Sequence, residues 1–394
     1  MRKQFRYILA AILLLVATAI NAQNDIDFED LLRKGYNFVI IENDGVRRFI
    51  EDDSYDNPAL TGNYSYSVVK KYSSGISSRP AGLKLKWSTE TPEEEIKNIV
   101  VTLVETDVEK NVSILDRDLR RENVKYYYPD IDSQEYLLCN MCPDKYCYYS
   151  IEEVRYSGEK TILKRGKFYT VGQVRMLRVD GMANVRDFGG WFTTFGKDVV
   201  YGRIFRGNRP DGITAKGRND FVKNEHITAD LDLRGTDLTK SPMGSLDEVE
   251  YYCTNNQRYK LALTSHTDAL ARDLNFIVRV LRKGGNVFLH CNHGVNRAGT
   301  LSFLIGGILG LHESDLSRDY ELSSFAYGNI VRTKKYGEML PYIRSFGEPD
   351  DDLAQCFYNY ALSIGVSQNT LDTLRCIMLD MQPDDPLIIG AHKR

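Results

Sequence analysis

Two hydrophobic patterns divide the chain into halves. Between about residues 24 and 178, short apolar or alternating runs are separated by Pro, Asp, Ser and Gly, as is typical of β-strands joined by turns. The clearest of these runs lie at 83–87, 99–104, 126–128, 136–138, 146–149 and 168–170. Several short strands separated by turn residues predict a small all-β sandwich for this part of the chain.

The second half follows a different pattern. Strand-like runs lie at 227–233 and 286–289, and apolar residues recur at helical spacing in 269–281, 298–309, 338–346 and 351–364. Strands that alternate with helices predict a mainly parallel sheet flanked by helices, with functional groups where the strands end. We therefore expect an all-β domain over residues 23–178 and an α/β domain over residues 179–394. The first is expected to fold separately and to contribute little to catalysis, since it contains no catalytic candidate.

The first 22 residues have the pattern of a secretory signal peptide. Basic residues within the first six positions precede the apolar run 7–20, and Ala22 offers a small residue before a cleavage point. A retained N-terminal anchor is the alternative, but the apolar run is short for a membrane span. We expect a periplasmic or secreted protein with no membrane span after signal cleavage.

Charge and cysteine content narrow the classes of function. The net charge is −3 over 394 residues, so no global basic field favours nucleic acid. The seven cysteines are Cys139, Cys142, Cys147, Cys253, Cys291, Cys356 and Cys376. An odd number leaves at least one thiol free, and we expect it to be Cys291. The first three lack the nearby histidine or fourth cysteine of a zinc site, so a local disulfide or buried free thiols are expected.

The strongest chemical signal is the segment 290–300, HCNHGVNRAGT. It lies between a strand-like and a helical run, so its backbone N–H groups and the helix dipole are expected to form an anion socket. In that field Cys291 is expected to be a thiolate nucleophile, and the planar fork of Arg297 suits two phosphoryl oxygens. The pattern predicts attack on a phosphate ester through a phosphocysteine intermediate that water hydrolyses. The other expected phosphate-binding residues are Asn292, His293, Gly294, Val295 and Asn296, supported by His290 and Thr300.

This segment resembles the Cys-x5-Arg signature of the cysteine-dependent phosphatases, a superfamily of tyrosine, dual-specificity, inositide and RNA 5′-triphosphatases. One position departs from the pattern. Most members have Ser or Thr directly after the arginine, and its hydroxyl helps the sulfur to leave. Here that position is Ala298, with Thr300 two residues further on. The resemblance thus implies good phosphate binding, and the departure is compatible with slow turnover.

Further motifs resemble a branch of bacterial tyrosine phosphatases over about residues 179–379. They are NVRDFGGW at 184–191, YGRIFRG at 201–207, DLDLR at 230–234 and the C-terminal run 365–379. The resemblance implies Asp232 as the general acid that protonates the leaving oxygen. A salt-bridged carboxylate that holds Arg234 is nearly as well supported, and Asp268 or His266 could serve as the acid instead. Asn184, Arg186 and Asp187 are expected to form a hydrogen-bond cluster rather than to contact substrate.

The first half weakly resembles an immunoglobulin or fibronectin type III module in the order of its features. An early strand ends at Trp87, followed by a tyrosine-rich strand and a last strand. No activity is expected from this part of the chain. Its expected role is presentation, positioning or contact with protein or carbohydrate.

The implied function is a secreted or periplasmic hydrolase of the protein tyrosine phosphatase class, acting on a phosphorylated protein or a small phosphomonoester. Two alternatives remain open. One is an inositol phosphate or phosphoinositide phosphatase, although the loop has only His293 where such enzymes usually carry extra lysines. The other is a weakly active or non-catalytic phosphate-binding module, which Ala298 permits. An RNA 5′-triphosphatase is disfavoured because the chain has no basic groove.

No metal or other cofactor is expected, because no cluster of Asp and His is spaced for a two-metal site. Redox chemistry adds one further expectation. A thiolate that has been oxidised to a sulfenic acid is protected from further oxidation when a second thiol captures it as a disulfide, with release of water. Cys253 is the expected partner of Cys291. The oligomeric state is left open by the sequence.

Overall fold

The computed structural model describes residues 25–56, 68–73, 78–117, 119, 123–236, 238–245, 247–327, 336–385 and 388. The expected signal peptide lies outside these residues. None of the described helices combines the length and the hydrophobicity that a bilayer crossing requires.

Six of the eight described strands of the first half overlap the runs that the sequence predicts, and the two at 26–27 and 38–40 were not predicted. The eight strands are β1 (Ile26–Asp27), β2 (Phe38–Ile40), β3 (Leu83–Lys86), β4 (Ile96–Thr106), β5 (Asn123–Tyr127), β6 (Glu135–Leu138), β7 (Tyr146–Arg155) and β8 (Lys160–Val171). The order β2-β8-β7-β4-β5 forms one sheet and β1-β3-β6 forms another. Both sheets contribute to one hydrophobic cluster, in which Leu83 and Leu85 of the small sheet join Val101, Leu103 and Ile151 of the large one.

The prediction that the first half is all-β was wrong in one respect, because two helices interrupt the strands. They are α1 (Phe28–Arg33) and α2 (Asp44–Glu51). Each begins at a polar cap whose side chain accepts a backbone N–H, Asp27 for α1 and Asn43 for α2. The spacing of Val46, Phe49 and Ile50 gives α2 one apolar face, and all three residues are buried.

The second half contains a mixed sheet flanked by helices. Its described strands are β9 (Arg186–Asp187), β10 (Ile204–Gly207), β11 (Ile227–Asp232), β12 (Glu250–Cys253) and β13 (Asn286–His290). Its described helices are α3 (Ala215–Gly217), α4 (Tyr259–Ser265), α5 (Thr267–Arg282), α6 (Asn296–Ile308), α7 (Glu313–Glu321), α8 (Ser324–Tyr327), α9 (Tyr336–Arg344), α10 (Leu353–Ser363) and α11 (Gln368–Met378). A π-helical turn (Arg218–Lys223) follows α3.

The sheet of the second half has the strand order β12-β11-β13-β10-β9. All neighbours are parallel except β9, which is antiparallel to β10. The predicted mainly parallel sheet is therefore confirmed. Because Asp232 lies opposite His290 in the register of β11 and β13, both strands end at one edge of the sheet. The loop that begins at Cys291 starts at this edge, where α/β folds gather functional groups.

Buried ion pairs join the two halves of the chain. Lys125 on β5 lies 2.9 Å from Glu105 and 3.1 Å from Glu225. Arg175 pairs with Glu225 and lies 3.1 Å from Asp187. All five side chains are buried, so separation of the halves would expose charges that now neutralise one another. This arrangement weighs against the expectation that the first half folds separately.

Candidate active site

The loop from Cys291 to the start of α6 contains a turn that requires glycine. Gly294 has a φ of 70°, and a Cβ added there would lie 2.3 Å from the carbonyl oxygen of Gly207. Only glycine fits such a position without a shift of the backbone. Cys291 precedes this turn directly after β13 and is 5% exposed.

The carbonyl groups of the loop are bound by donors that surround it. The His293 oxygen accepts from Asn184 Nδ2 at 3.0 Å and from the Tyr327 hydroxyl at 2.6 Å. Arg206 Nη2 donates to the Gly294 oxygen at 2.9 Å and to the Val295 oxygen at 3.4 Å. These contacts direct the carbonyl groups of residues 293–295 toward the side chains that surround the loop.

The backbone N–H groups of the same loop remain available. Among the described residues, no acceptor is present for the N–H groups of residues 292–297. They lie at the N-terminus of α6, a 13-residue helix whose dipole favours negative charge at this end. A loop with its carbonyls bound outside and its amides free is a binding site for an oxyanion.

Two buried arginines support the loop from behind. Arg186 Nε lies 3.1 Å from Asp319 Oδ1, and Arg206 Nη1 pairs with the other oxygen of Asp319. Burial and the charge of Arg206 lower the pKa of Arg186 to about 10. This group of three residues (Arg186, Arg206 and Asp319), the loop cluster, has two cations and one carboxylate. Its surplus positive charge favours an anion in the adjacent loop.

The structure brings Arg297 into the first turn of α6, beside the free amides. Within the described part of the chain, its guanidinium has no ion-pair or hydrogen-bond partner. It is half-buried. A planar fork that is not neutralised by a carboxylate remains able to bind two oxygens of a phosphoryl group.

Comparison with known proteins agrees with the oxyanion-binding loop that this geometry indicates. The sequence description of the tyrosine phosphatase family matches residues 177–379. This match covers more than half of the chain. The protein belongs to the tyrosine phosphatase family. No curated protein shows significant similarity to the chain.

Asp232, one candidate for the general acid, is fully buried and tightly bound. Its carboxylate accepts from the Nε, Nη2 and backbone N of Arg234 and from the hydroxyls of Thr236 and Tyr251, at 2.8–3.1 Å. Burial acts to raise the pKa of Asp232, but the hydrogen bonds from Arg234 outweigh it and the pKa is lowered. These contacts favour the alternative role, a carboxylate that orients Arg234.

Arg234 in turn points its remaining N–H groups toward Asp211. Its Nη1 and Nη2 lie 3.1 and 3.2 Å from the two oxygens of Asp211, a residue outside the sequence motifs. The other acid candidates lie elsewhere. Asp268 is exposed in the first turn of α5, and His266 directly precedes this helix without a side-chain capping bond. No described contact joins Asp268 or His266 to the phosphate-binding loop.

His290 and Thr300 support the loop of residues 291–297 from its two ends. His290 Nε2 lies 2.9 Å from Asp230 Oδ1, and both side chains are fully buried. The Thr300 hydroxyl donates to the Asn296 oxygen at 2.9 Å and accepts from the backbone N of Tyr259 at 2.8 Å. Because this hydroxyl is fully engaged, it does not replace the hydroxyl that Ala298 lacks.

Several residues around the loop carried no recognisable signal in the sequence. Tyr259 and Tyr320 donate to Asn296 Oδ1 at 2.6 and 3.2 Å, and Tyr327 binds the loop backbone. Arg206 lay inside a recognised motif, whereas Asp319 lay in none. As predicted, Arg186 and Asn184 are hydrogen-bonded, at 2.7 Å. Asp187, which was expected in the same cluster, binds Arg175 instead.

The expected disulfide between Cys253 and Cys291 was wrong. Cys253 on β12 lies opposite Asp232 on β11, which lies opposite His290 on β13. Two strand spacings of about 4.8 Å each therefore separate Cys253 from the strand that leads into Cys291. A disulfide requires Cα atoms within roughly 7 Å, so the register of the sheet keeps these thiols apart.

The remaining cysteines are free in the structure. Cys139, Cys142 and Cys147 are buried thiols rather than a disulfide, which was one of the two expected states. Burial raises the pKa of Cys139 to about 11 and that of Cys142 to about 12. Across the described residues, no three His, Cys, Asp or Glu side chains are grouped closely enough to hold a metal ion.

Proposed function

We propose that this protein is a phosphomonoesterase in which Cys291 forms a phosphocysteine intermediate. One observation carries the proposal. The N–H groups of residues 292–297 have no acceptor among the described residues, whereas the loop carbonyls are bound by Asn184, Arg206 and Tyr327. Such a loop, with a cysteine at its start, is suited to bind a phosphoryl group in line with a nucleophilic sulfur.

The reaction proceeds in two displacements. The Cys291 thiolate attacks phosphorus, the ester P–O bond breaks, and the departing oxygen takes a proton. Water then attacks phosphorus, the P–S bond breaks, and phosphate leaves with the thiolate restored. In both steps the amides of residues 292–297 and the fork of Arg297 stabilise the charge on the phosphoryl oxygens.

The departing group determines how much an acid matters. Asp232 is held ionised by Arg234, so an uncharged proton donor at that position is disfavoured. A phenoxide leaves with less need of protonation than an alkoxide, because its conjugate acid is stronger. The site is therefore better suited to aryl phosphates, such as phosphotyrosine in a protein, than to alkyl phosphates such as those of inositols.

The second displacement is expected to be slow. Ala298 provides no hydroxyl to the leaving sulfur, and the Thr300 hydroxyl is committed to Asn296 and Tyr259. This favours a second candidate function, a module that binds phosphate tightly and turns it over slowly. The two candidates share the loop and differ in the rate at which the phosphocysteine breaks down.

The decisive experiment follows product release from p-nitrophenyl phosphate with a chelator present. Wild type should release a stoichiometric burst of p-nitrophenol and then turn over steadily. Cys291→Ser should show neither phase, and Arg297→Lys should lose on the order of a hundredfold in kcat/KM, since an oxyanion contact is worth about 3 kcal/mol. Cys253→Ser serves as the matched control and should behave as wild type.

Equal rates in wild type and Cys291→Ser would contradict the proposal, as would abolition by the chelator alone. A burst without a steady phase would favour the slow phosphate-binding module. A phosphotyrosine peptide and inositol hexakisphosphate, assayed in parallel, separate the two substrate classes.

We also propose that the protein acts in the periplasm or outside the cell, with residues 1–22 removed. The basic start and the apolar run 7–20 support this. The two sheets over residues 23–178 are proposed to form an immunoglobulin-like or fibronectin type III-like sandwich, and residues 179–394 the phosphatase domain. Sequencing the N-terminus of the protein recovered from cell fractions tests the location. A mature protein that retains residues 1–22 would argue against it.

A further inference from the structure

Helix α2 of the first half is packed into the core of the phosphatase half. Val46, Phe49 and Ile50 belong to the hydrophobic cluster that contains Cys291 and the buried face of α6. Phe49 is fully buried, and its ring centroid lies 5.8 Å from that of Phe325 on α8. This helix therefore makes its apolar contacts outside the two sheets that flank it in sequence.

A polar contact joins the end of α2 to helix α7. Asp52 follows α2, and its carbonyl oxygen accepts from Arg318 Nη2 at 2.9 Å. Arg318 is nearly fully buried on α7, where Nη1 also binds Asp315 at 2.8 Å. The Asp52 side chain is fixed as well, because it accepts from the Tyr72 hydroxyl at 2.6 Å. The contact thus ties α7 to a turn that has little freedom to move.

The segment that α2 contacts carries the supports of the phosphate-binding loop. Asp319 follows Arg318 directly and pairs with both arginines of the loop cluster. Ser323 accepts from Asn184 Nδ2 at 3.1 Å. Tyr327, two residues after Phe325, donates to the carbonyl of His293. A shift of α7 or α8 would therefore change the donors that hold the loop carbonyls.

We propose that Phe49 is a positioning residue of the phosphatase site, acting through Phe325 and α7–α8 on the backbone of the phosphate-binding loop. Helix α2 is then part of the catalytic unit, although it lies in the half that contains no catalytic residue. The inference rests on the proposed function for its kinetic consequence. Its structural consequence, order in the loop, is measurable without any activity.

The test compares two buried phenylalanines of the first half in the full-length protein. Phe49→Ala removes the contact with Phe325. Phe168→Ala is the matched control, because Phe168 is also buried but packs in the cluster between the two sheets. Both variants should melt at lower temperature. Only Phe49→Ala should, well below its Tm, lower kcat/KM by on the order of tenfold to a hundredfold and weaken inhibition by orthovanadate by a similar factor.

Hydrogen exchange of the peptide that covers residues 290–297 provides the readout that needs no activity. Exchange should be faster than wild type in Phe49→Ala and unchanged in Phe168→Ala. If Phe49→Ala does not fold, Arg318→Gln takes its place, since it deletes the bond to Asp52 and should give a smaller effect of the same sign. Arg279→Gln, at a surface ion pair with Glu250, is its control.

Two results would overturn the inference. One is wild-type loop exchange and kinetics in a folded Phe49→Ala or Arg318→Gln protein. The other is equal loosening of the loop in Phe168→Ala, which would mean that any loss of stability disturbs the loop. A wild type without activity, but with the expected exchange difference, would contradict the proposed phosphatase function and leave the positioning role supported.

Discussion

The loop cluster and the ion pairs between the two halves both consist of buried cationic side chains and carboxylates, but the two groups differ in their balance of charge. The interface cluster consists of the cations Lys125 and Arg175 and the carboxylates Glu105, Glu225 and Asp187. There the carboxylates outnumber the cations. In the loop cluster two arginines share the single carboxylate of Asp319, and Nη2 of Arg206 also donates to backbone carbonyls of the loop. The surplus positive charge of the loop cluster favours an anion in the adjacent loop. The nearly balanced charges of the interface cluster instead stabilise the contact between the two halves.

Neighbouring charge decides what burial does to a carboxyl group here. Glu225 is buried, which acts to raise its pKa, but Arg175 and Lys125 outweigh this and the pKa is lowered. Asp273 is buried, its hydrogen-bond donors among the described residues are Thr254 and Asn256, and burial raises its pKa to about 7. The contrast shows that the paired cations Arg175 and Lys125, rather than solvent, keep Glu225 charged.

The largest effect is expected from Asp319→Asn. The change removes the carboxylate that pairs with the buried Arg186 and Arg206, at a cost of about 3–5 kcal/mol in the free energy of unfolding. Arg206, which donates to the loop carbonyls, also loses the partner that orients it. We therefore expect kcat/KM to fall by on the order of a hundredfold. Urea unfolding and kinetics with an aryl phosphate measure the two effects.

Glu313→Gln is the matched control on the same helix, because Glu313 pairs with Arg344 at the surface. It should change stability by less than about 1 kcal/mol and leave kcat unchanged. If Asp319→Asn destabilised the protein but kept wild-type kcat/KM, the loop cluster would serve cohesion alone. The distinction between the two clusters would then be lost.

An intermediate effect, on stability alone, is expected from Glu225→Gln. Because the folded-state pKa of Glu225 is lowered, its contribution to stability is present above the unfolded pKa of about 4.3 and is lost as pH falls through the folded value. At pH 7 the free energy of unfolding of the variant should be about 3 kcal/mol lower than that of wild type, and this gap should narrow below about pH 4. Urea unfolding at several pH values follows this gap.

The rate constant kcat of Glu225→Gln at pH 7, measured well below its Tm, should stay within about twofold of wild type, since Glu225 does not contact the loop cluster. The surface variant Glu250→Gln, which loses an exposed ion pair with Arg279, controls for the change of charge. A large fall in kcat for Glu225→Gln would mean that the interface cluster also positions the loop.

The sequence was sufficient for the parts of the molecule that local patterns encode. Apolar periodicity located six strands of the first half, the strands β11 and β13, and the helices α5, α6, α9 and α10. The segment that contains Cys291 and Arg297 identified the candidate loop. In contrast, Arg186 and Asp319 are 133 positions apart in the chain, and no local spacing relates them. The partners of a buried charge are fixed by the tertiary fold, so single-sequence patterns do not reveal them.

Helix α2 shows the same limit within the first half. It has eight residues, begins with Asp44 and Gly45, and lies among strand-like runs. Its apolar positions fit a helix, but they are too few to stand out from turn residues. The separate folding of the first half was expected because it lacks catalytic residues. Lack of chemistry does not imply lack of contact, as the burial of Phe49 beside Phe325 shows.

The smallest effect is expected from Tyr327→Phe, which compares a neutral donor with the charged donors of the loop cluster. The Tyr327 hydroxyl donates to the His293 carbonyl, and burial raises the pKa of Tyr327 to about 12, so the proton is retained at neutral pH. Asn184 still donates to the same carbonyl after the change. The loss should be about 1 kcal/mol, or about fivefold in kcat/KM.

The control is Tyr358→Phe, which deletes a hydroxyl bond to Asp372 away from the loop and should leave kcat/KM unchanged. A loss in Tyr327→Phe as large as that in Asp319→Asn would show that the loop depends on each carbonyl contact equally, whatever the charge of the donor.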